Sequence, residues 1–216
     1  MNDVIIRDIE EKDLPALKAL IAETFGKGWN LGRFDQNEGL IQALLDVYLS
    51  IFLEPSTFGK VATMKSEVVG VVLASVDGET KKFRLFQKDA APNTLTLLTA
   101  TEAERMDIAQ HMSASFQTIE KLLENKAEAY DGSLELLVVS EQAQGLKVGK
   151  ILWNEASAYF SSKGAKSIYL IADSTCNVGF YEHNGFSKTG AKEAVYNYTA
   201  GQRKTDVFIY EYQWRK

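Results

Sequence analysis

Apolar residues in the first quarter of the chain recur at helical spacing in two segments, and a short strand-like run precedes them. The run DVIIRDI predicts a strand. Asp13 then predicts a helix N-cap, with Pro15 in the first turn and Gly26 at the helix end. A second amphipathic helix, ended by Pro55, is predicted from a further set of apolar positions: Leu40, Ile41, Leu44, Leu45, Tyr48, Ile51 and Phe52.

Two strands and a long middle segment follow these helices. GKVATM and EVVGVVLASV predict strands joined by a short polar turn at Lys65 and Ser66. Residues 77–132 form the middle segment, which contains one predicted long helix from about Glu102 to Asn125. Such a segment is long for a connection between neighbouring strands.

The last third of the chain alternates buried strands with helices. SLELLVVS and SIYLIAD predict buried strands, NVGFYEHN a short helix capped by Gly185, and DVFIYEYQW a strand near the C-terminus. Between the two buried strands, a helix closed by Gly164 is predicted from one apolar face: Val148, Ile151, Leu152, Ala156, Tyr159 and Phe160. Strand pairs followed by strand–helix–strand predict a three-layer α/β or an α+β fold with a mixed sheet.

Composition and charge narrow the class of protein. The 216 residues suit one large domain, or one domain with an insertion. A formal net charge of −5 disfavours nucleic acid and anionic lipid as partners and suits a cationic substrate better. The single cysteine, Cys176, excludes an internal disulfide, and the acidic start MNDVIIRDIEEKD is unlike a signal peptide. We therefore expect a soluble cytoplasmic protein without a nucleic-acid or membrane partner.

The stretch VVSEQAQGLKVGKIL leads from a strand through a glycine-bearing turn into a helix. Such a turn exposes unpaired backbone N–H groups at the positive end of the helix dipole, which is a site for an anion such as phosphate. Lys147 and Lys150 would add positive charge. The candidate amides belong to one continuous run: Gln144, Gly145, Leu146, Lys147, Val148 and Gly149. The Walker and GxGxxG spacings are absent, and the alternative is that the glycines only shape a turn.

A second stretch, CNVGFYEHNGF, follows the next strand. The run Gln144–Gly149 follows the pattern Q/R-x-x-G-x-G/A except at its first glycine, and Phe180–Phe186 reads as FYExxGF. With these two stretches the chain resembles the GNAT superfamily of acyl-CoA-dependent N-acyltransferases. The resemblance is specific over Leu134–Phe186. It is looser over residues 4–76 and does not cover 77–132.

The resemblance implies a mixed, mostly antiparallel central sheet with helices on both faces, in a single domain over residues 1–216. Residues 77–132 lie outside the resemblance. From their length we expect a helical insertion or lid before the fourth strand, which either covers the acceptor site or makes a homodimer contact. Acetyl-CoA would be the cosubstrate, with its pyrophosphate on the amides of the turn. Val138 and Val139 would also contact it, and the amide near Val139 would face the thioester carbonyl.

One residue departs from the family pattern. Lys147 stands where the family has its first glycine. A backbone amide donates whatever its side chain, so binding can survive the change. If this position requires a positive φ, lysine costs on the order of 1 kcal/mol of stability.

The resemblance also implies catalytic residues. Tyr181 occupies the position of the general acid that protonates the leaving thiolate, and a phenol stays protonated at neutral pH. The alternative is a core tyrosine. Glu135 is our candidate general base, since a charged side chain is unusual in a buried strand; otherwise it faces solvent. Asn177 either caps the helix that carries Tyr181 or binds the pantetheine arm.

The remaining candidates point to no other chemistry. We expect Cys176 to be a small buried apolar residue, and no metal site, because His111 and His183 lie far apart in the sequence. Trp29, Phe34 and Tyr48 either line an acceptor pocket or pack in the core.

Three functions follow from these patterns. The first is an N-acetyltransferase that uses acetyl-CoA on the amine of a small molecule or peptide. The second is a catalytically silent acyl-CoA-binding sensor or scaffold with the same fold. The third is a nucleotide-binding domain without acyl chemistry.

Overall fold

The computed structural model describes residues 4–26, 34, 37–83, 100–124, 126 and 129–214. The strands are β1 (Ile5–Asp8), β2 (Phe58–Met64), β3 (Glu67–Val76), β4 (Gly132–Val139), β5 (Ser167–Asp173), β6 (Ser187–Tyr198) and β7 (Gly201–Gln213). The helices are α1 (Leu14–Phe25), α2 (Glu38–Leu53), α3 (Glu102–Leu123), α4 (Val148–Ser162) and α5 (Val178–His183). Among the helices in these ranges, none combines the length and the apolar character that crossing a bilayer requires.

The described strands form a seven-stranded sheet in the order β1-β2-β3-β4-β5-β7-β6. The β4–β5 pair is parallel, whereas β1–β2, β2–β3, β5–β7 and β6–β7 are antiparallel. The mixed, mostly antiparallel sheet of an α/β fold is thus confirmed. Helix α3 stands between β3 and β4 in the chain, as predicted from its apolar spacing, but its role as an insertion or lid stays a prediction.

The chain groups into two compact units that interleave in sequence. The first unit comprises Met1–Thr96 and Leu134–Ala165, and the second comprises Leu97–Ser133 and Lys166–Lys216. The expectation of a single domain over 1–216 stays a prediction. Each unit is described below by itself.

The first unit is built around the β2–β3 hairpin. Lys65 and Ser66 both have positive φ, 52° and 69°, which matches the tight two-residue turn predicted between these strands. β3 is almost fully buried from Val69 to Ala74. Helix α4 packs directly on it at Gly70, because a Cβ there would lie 3.0 Å from Leu152 Cδ1 and 3.2 Å from Val148 Cγ1. A larger residue at Gly70 would therefore separate α4 from the sheet.

Asp13 has a different role from the one predicted. It directly precedes α1, with Pro15 in the first turn, but its side chain makes no cap bond to α1. The buried carboxylate instead accepts two hydrogen bonds from Arg7, at 2.6 and 2.7 Å, and one from the Glu10 N–H at 2.9 Å. The hydrogen bonds from Arg7 lower the pKa of Asp13, although burial opposes them. The ion pair thus ties the turn before α1 to β1.

The second unit contains α3 and the long β6–β7 hairpin. Strand β6 was not predicted, and α3 packs against both strands of the hairpin. Helix α3 begins with a capping box, in which Thr101 and Glu104 exchange hydrogen bonds. Its apolar face contributes Leu122 to a buried cluster with hairpin residues, namely Ala194, Tyr196, Val207 and Ile209.

Two polar contacts fix α3 to the end of this hairpin. Buried Asp107 accepts hydrogen bonds from the Thr199 N–H at 2.6 Å and the Thr199 hydroxyl at 2.8 Å. His111 Nδ1 lies 2.7 Å from the Tyr198 hydroxyl, and its ring stacks on Tyr196 with centroids 4.7 Å apart. His111 is therefore a packing residue of the second unit.

Candidate active site

Burial alternates along β4 in the way expected of one covered and one partly open face. Leu134, Leu136 and Val138 are buried, whereas Glu135, Leu137 and Val139 are half-buried. The prediction that residues 135, 137 and 139 share a face is confirmed. Glu135 is thus a charged side chain on the open face of a strand whose other face is apolar.

A serine on β3 holds the carboxylate of Glu135. The Ser75 hydroxyl donates a hydrogen bond of 2.7 Å to Glu135 Oε1. Both side chains are half-buried. Glu135 is therefore fixed by a neighbouring strand, and a simple solvent-facing position no longer describes it. No signal in the local sequence pointed to Ser75.

The turn after β4 has the backbone geometry of the predicted anion site. A 3₁₀ turn at Glu141–Ala143 follows β4, and α4 begins at Val148. Gly145 has φ 78° and Lys147 has φ 62°, so both lie in the left-handed region. The sequence did not decide whether position 147 requires a positive φ. It does, so Lys147 has a backbone conformation in which glycine is favoured.

Five of the six candidate amides of this turn divide into two groups. The N–H groups of Gln144 and Leu146 donate to the carbonyls of Glu141 and Ala143, at 3.2 and 3.3 Å. These two amides already bond within the protein, so fewer of the predicted amides remain to bind an anion. The N–H groups of Lys147, Val148 and Gly149 stand at the start of α4, where helix geometry offers no intrahelical acceptor.

The start of α4 is not capped by its own N-cap side chain. Lys147 is the N-cap residue of this 15-residue helix, and it makes no side-chain cap bond. The start of α4 therefore combines the positive end of the helix dipole with N–H groups that lack an intrahelical acceptor. Two lysines, Lys147 and Lys150, lie in the same stretch of sequence. The arrangement fits the pyrophosphate of CoA, which needs several N–H donors and local positive charge.

Two further groups lie at the start of the turn. The Ser140 hydroxyl is the one buried side-chain polar atom without a hydrogen-bond partner in the ranges that the structure describes. A polar ligand at this turn could satisfy it. The Glu141 N–H donates a 2.6 Å hydrogen bond to the carboxylate of Glu23, which lies near the end of α1. Glu23 thereby anchors the turn. Nothing in the sequence around this exposed residue suggested such a role.

Replacing Lys147 with glycine should raise the free energy of unfolding by about 1 kcal/mol, because glycine adopts a positive φ without a steric penalty. Binding of CoA should stay within a few-fold, since the amide is kept. Chemical denaturation and a CoA titration measure the two effects. Lys147→Ala is the matched control: it removes the same charge but keeps the strain, so it should bring little stability. If both variants lose CoA binding, the ammonium group of Lys147 is a principal ligand and the backbone account is wrong.

Tyr181 lies in the second unit, on α5, inside a cluster of aromatic rings. Its ring packs edge-on against Phe180 and Phe186, with centroids 5.6 and 5.7 Å apart, and lies 6.3 Å from Tyr210. Burial, and secondarily the nearby Cys176, raise the pKa of Tyr181 above that of an ordinary phenol. The raised pKa is that of a phenol that stays neutral throughout the physiological pH range.

The hydroxyl of Tyr181 is not used by the fold. Among the described residues, no group forms a hydrogen bond with it. The neighbouring Tyr210 differs, because its hydroxyl donates to Glu182 at 2.9 Å. The acid role of Tyr181 and the alternative of a core tyrosine both stay predictions.

Two residues directly before α5, Asn177 and Cys176, were also candidates for a role in the site. Asn177 precedes the helix but its side chain makes no cap bond, and the Phe180 N–H bonds to the Asn177 carbonyl instead. The capping alternative is therefore not realised, and the exposed amide stays a candidate for binding pantetheine. Burial, reinforced by Asp173, raises the pKa of Cys176 to about 12. Its thiol is consequently a poor nucleophile at neutral pH.

Other predicted candidates are accounted for by packing. Phe34 and Tyr48 are buried, which agrees with the core alternative, while Trp29 lies outside the described residues. His183 Nδ1 lies 2.6 Å from the Gly179 carbonyl within its own helix. Over the described ranges, His, Cys, Asp and Glu side chains form no group of three or more that could hold a metal ion.

Comparisons with known proteins bear on the family and the fold of the chain. Residues 97–199 match the family model described as an acetyltransferase (GNAT) domain. No curated protein matches the chain.

Three solved structures illustrate the likeness. A Pyrococcus horikoshii OT3 protein is 14% identical with a TM-score of 0.60, over 99% of this chain and 100% of that chain. A Corynebacterium glutamicum protein described as histone acetyltransferase HPA2 and related acetyltransferase is 18% identical with a TM-score of 0.59, over 99% and 98%. The ribosomal-protein-S18-alanine N-acetyltransferase of Escherichia coli is 14% identical with a TM-score of 0.53, over 98% and 94%. At these identities, each structure shows a shared fold.

Proposed function

We propose, because this chain belongs to the GNAT superfamily of acetyltransferases, that it transfers the acetyl group of acetyl-CoA to the amine of a small molecule or peptide. The observation that carries the proposal is the turn from β4 into α4. It presents the N–H groups of a helix start whose N-cap side chain makes no cap bond, with positive φ at Gly145 and Lys147. A turn of this kind, next to a strand that bears a fixed carboxylate, suits a phosphate-bearing substrate of an acyl transfer.

Residues of the first unit would bind the cosubstrate. The amides of Lys147, Val148 and Gly149 would donate to the pyrophosphate oxygens, and the side chains of Lys147 and Lys150 would add positive charge. When bound, acetyl-CoA supplies an activated thioester carbonyl. Val138 and Val139, at the end of β4, would contact the pantetheine arm, and the N–H near Val139 would donate to the carbonyl oxygen as it gains charge.

Glu135 would act as the general base. An amine must lose a proton as it attacks a carbonyl, and a carboxylate held at a defined position can accept that proton directly or through one water. The half-buried position of Glu135 and its bond to Ser75 supply the fixed orientation. The acidic chain, with its net charge of −5, also suits an acceptor that arrives as a cation.

Tyr181 would act as the general acid. The leaving thiolate needs a proton, and a phenol kept neutral by burial holds one at the reaction pH. Asn177, whose amide is not used as a cap, would bind the pantetheine arm. No metal ion is needed for any of these steps.

A thermal-shift assay combined with thiol detection tests the proposal. CoA or acetyl-CoA should raise the melting temperature, since a ligand at a hundredfold excess over its Kd stabilises the native state by about 2.7 kcal/mol. ATP and NAD should give a smaller shift. Incubation of acetyl-CoA with a panel of amines should then release free thiol for at least one amine.

The outcomes separate the alternative functions. A CoA shift without thiol release from any amine would favour a silent acyl-CoA-binding sensor or scaffold, an alternative that Lys147 in place of a glycine supports. An equal or larger shift with ATP or NAD would favour a nucleotide-binding domain. No shift with millimolar CoA, in a protein that is folded, would contradict the proposed cosubstrate.

A further inference from the structure

We propose that Ser75 is a positioning residue for Glu135, and this inference rests on the proposed function. Its hydroxyl donates to Glu135 Oε1 at 2.7 Å, across 60 residues of sequence. Ser75 would touch neither the acceptor amine nor acetyl-CoA. It would act through Glu135, by fixing the plane of the carboxylate.

The placement of Ser75 follows from the regular course of β3. The register with β2 is unbroken from Gly70 to Ala74, so side chains alternate between the two faces over this stretch. Gly70 faces α4, as its close approach to Leu152 and Val148 shows. Ser75, five residues later, points to the opposite face. The Ser75–Glu135 pair therefore lies on the face of the sheet that α4 does not cover.

The fold has little use for this hydrogen bond. The residues of β3 before Ser75, from Val69 to Ala74, are almost fully buried and apolar, whereas Ser75 and Glu135 are half-buried. Removing the hydroxyl would leave the carboxylate partly solvated, and a partly solvated group escapes most of the penalty for a lost partner. A polar residue at this point of an apolar strand thus contributes little to stability.

The same bond has a clear use in proton transfer. A glutamate side chain has several rotamers, and only some of them direct an oxygen toward an incoming amine. A hydroxyl bonded to Oε1 restricts these orientations, and thereby helps to direct the carboxylate that would accept the proton of the amine. A hydrogen bond to an ionised group is also among the stronger ones in proteins. Ser75 keeps its own proton throughout.

The test uses an amine for which the wild-type protein releases thiol. Ser75→Ala should lower kcat roughly tenfold, the scale of a lost hydrogen bond to a charged group. The KM for acetyl-CoA should stay within about twofold, because Ser75 does not contact it. Ser75→Thr keeps a hydroxyl and suits a strand, so it should recover most of the rate. The melting temperatures of the three proteins should be similar.

A double-mutant cycle identifies Glu135 as the residue through which Ser75 acts. Glu135→Gln should slow the reaction by about 10²-fold. Adding Ser75→Ala to it should bring no further loss, because the carboxylate that Ser75 positions is already gone. If the two losses multiply, Ser75 acts independently of Glu135 and the proposal is wrong. A normal rate in Ser75→Ala, or a rate loss that only follows a loss of folded protein, also overturns it.

Failure of the proposed function gives a different result. In that case the wild-type protein itself releases no thiol with any amine, and the role of Ser75 falls together with the enzymatic activity. If the wild type is active and only the Ser75 results disagree, the acetyltransferase proposal stands and the positioning role alone is rejected.

Discussion

Replacing Tyr181 with phenylalanine is expected to slow acyl transfer by about 100-fold or more, the usual scale for losing a positioned acid. The KM for acetyl-CoA should change only a few-fold, because the amides at the start of α4 do not depend on this hydroxyl. A lower kcat at a nearly constant KM is typical of an interaction made mainly in the transition state. Steady-state kinetics with an accepted amine, followed by thiol release, measures both constants.

Tyr210 provides the matched control for this prediction. The two tyrosine rings lie 6.3 Å apart in the second unit, but their hydroxyls differ, since Tyr210 donates to Glu182 and Tyr181 has no hydrogen-bond partner among the described residues. Tyr210→Phe should therefore cost about 1 kcal/mol of stability and little rate. Tyr181→Phe should cost rate and little stability. A Tyr181→Phe protein that folds and turns over like the wild type would exclude Tyr181 as the acid.

Local sequence patterns predicted most of the elements, because burial imposes a period on the apolar residues. β4 and β5 have continuous apolar runs, and α4 has one buried face, so each was evident. β6 was missed because this periodic signal needs burial, which most of β6 lacks. It lies at the edge of the sheet, most of its first seven residues are exposed, and it therefore lacks an apolar run.

The candidate site was predictable where it depends on the local backbone. The turn at Gly145 and Lys147 is encoded by neighbouring residues, and its positive φ values follow from a strand that leads into a helix through a glycine-bearing turn. Contacts between distant residues were not predictable. Ser75 and Glu135 are 60 residues apart, and Glu23 and Glu141 are 118 apart. The periodicity of apolar residues along the chain carries no information about such pairs.

Competition between partners explains why Asp13, although it is the N-cap residue of α1, makes no side-chain cap bond. Asp13 has the residue type and position of a helix cap, yet a bidentate bond with Arg7 of β1 offers a stronger partner than the N–H groups of α1. Asn177 likewise has the position of a cap without the bond. Propensity thus located both residues correctly at helix starts, whereas their hydrogen bonds depended on the rest of the fold.

Replacing Gly149 with aspartate is expected to abolish binding of CoA while the protein stays folded. Position 149 is the second residue of α4, beside the orphan amides proposed to hold the pyrophosphate. An aspartate there would oppose the ligand with a like charge and would itself compete for the helix N–H groups. The same charge favours the fold, because an acidic residue in the first helical turn contributes about 0.3–1 kcal/mol through the helix dipole.

The expected result is therefore a melting temperature equal to or above that of the wild type without ligand, and no further increase with millimolar CoA. Gly149→Asn separates charge from size, since asparagine has nearly the same shape and no charge. If repulsion is the cause, the asparagine variant should retain more affinity than the aspartate variant, and added salt should weaken the difference. Equal losses in both variants would mean that position 149 has no room for a side chain. Full CoA binding by Gly149→Asp would show that the pyrophosphate does not lie at the start of α4.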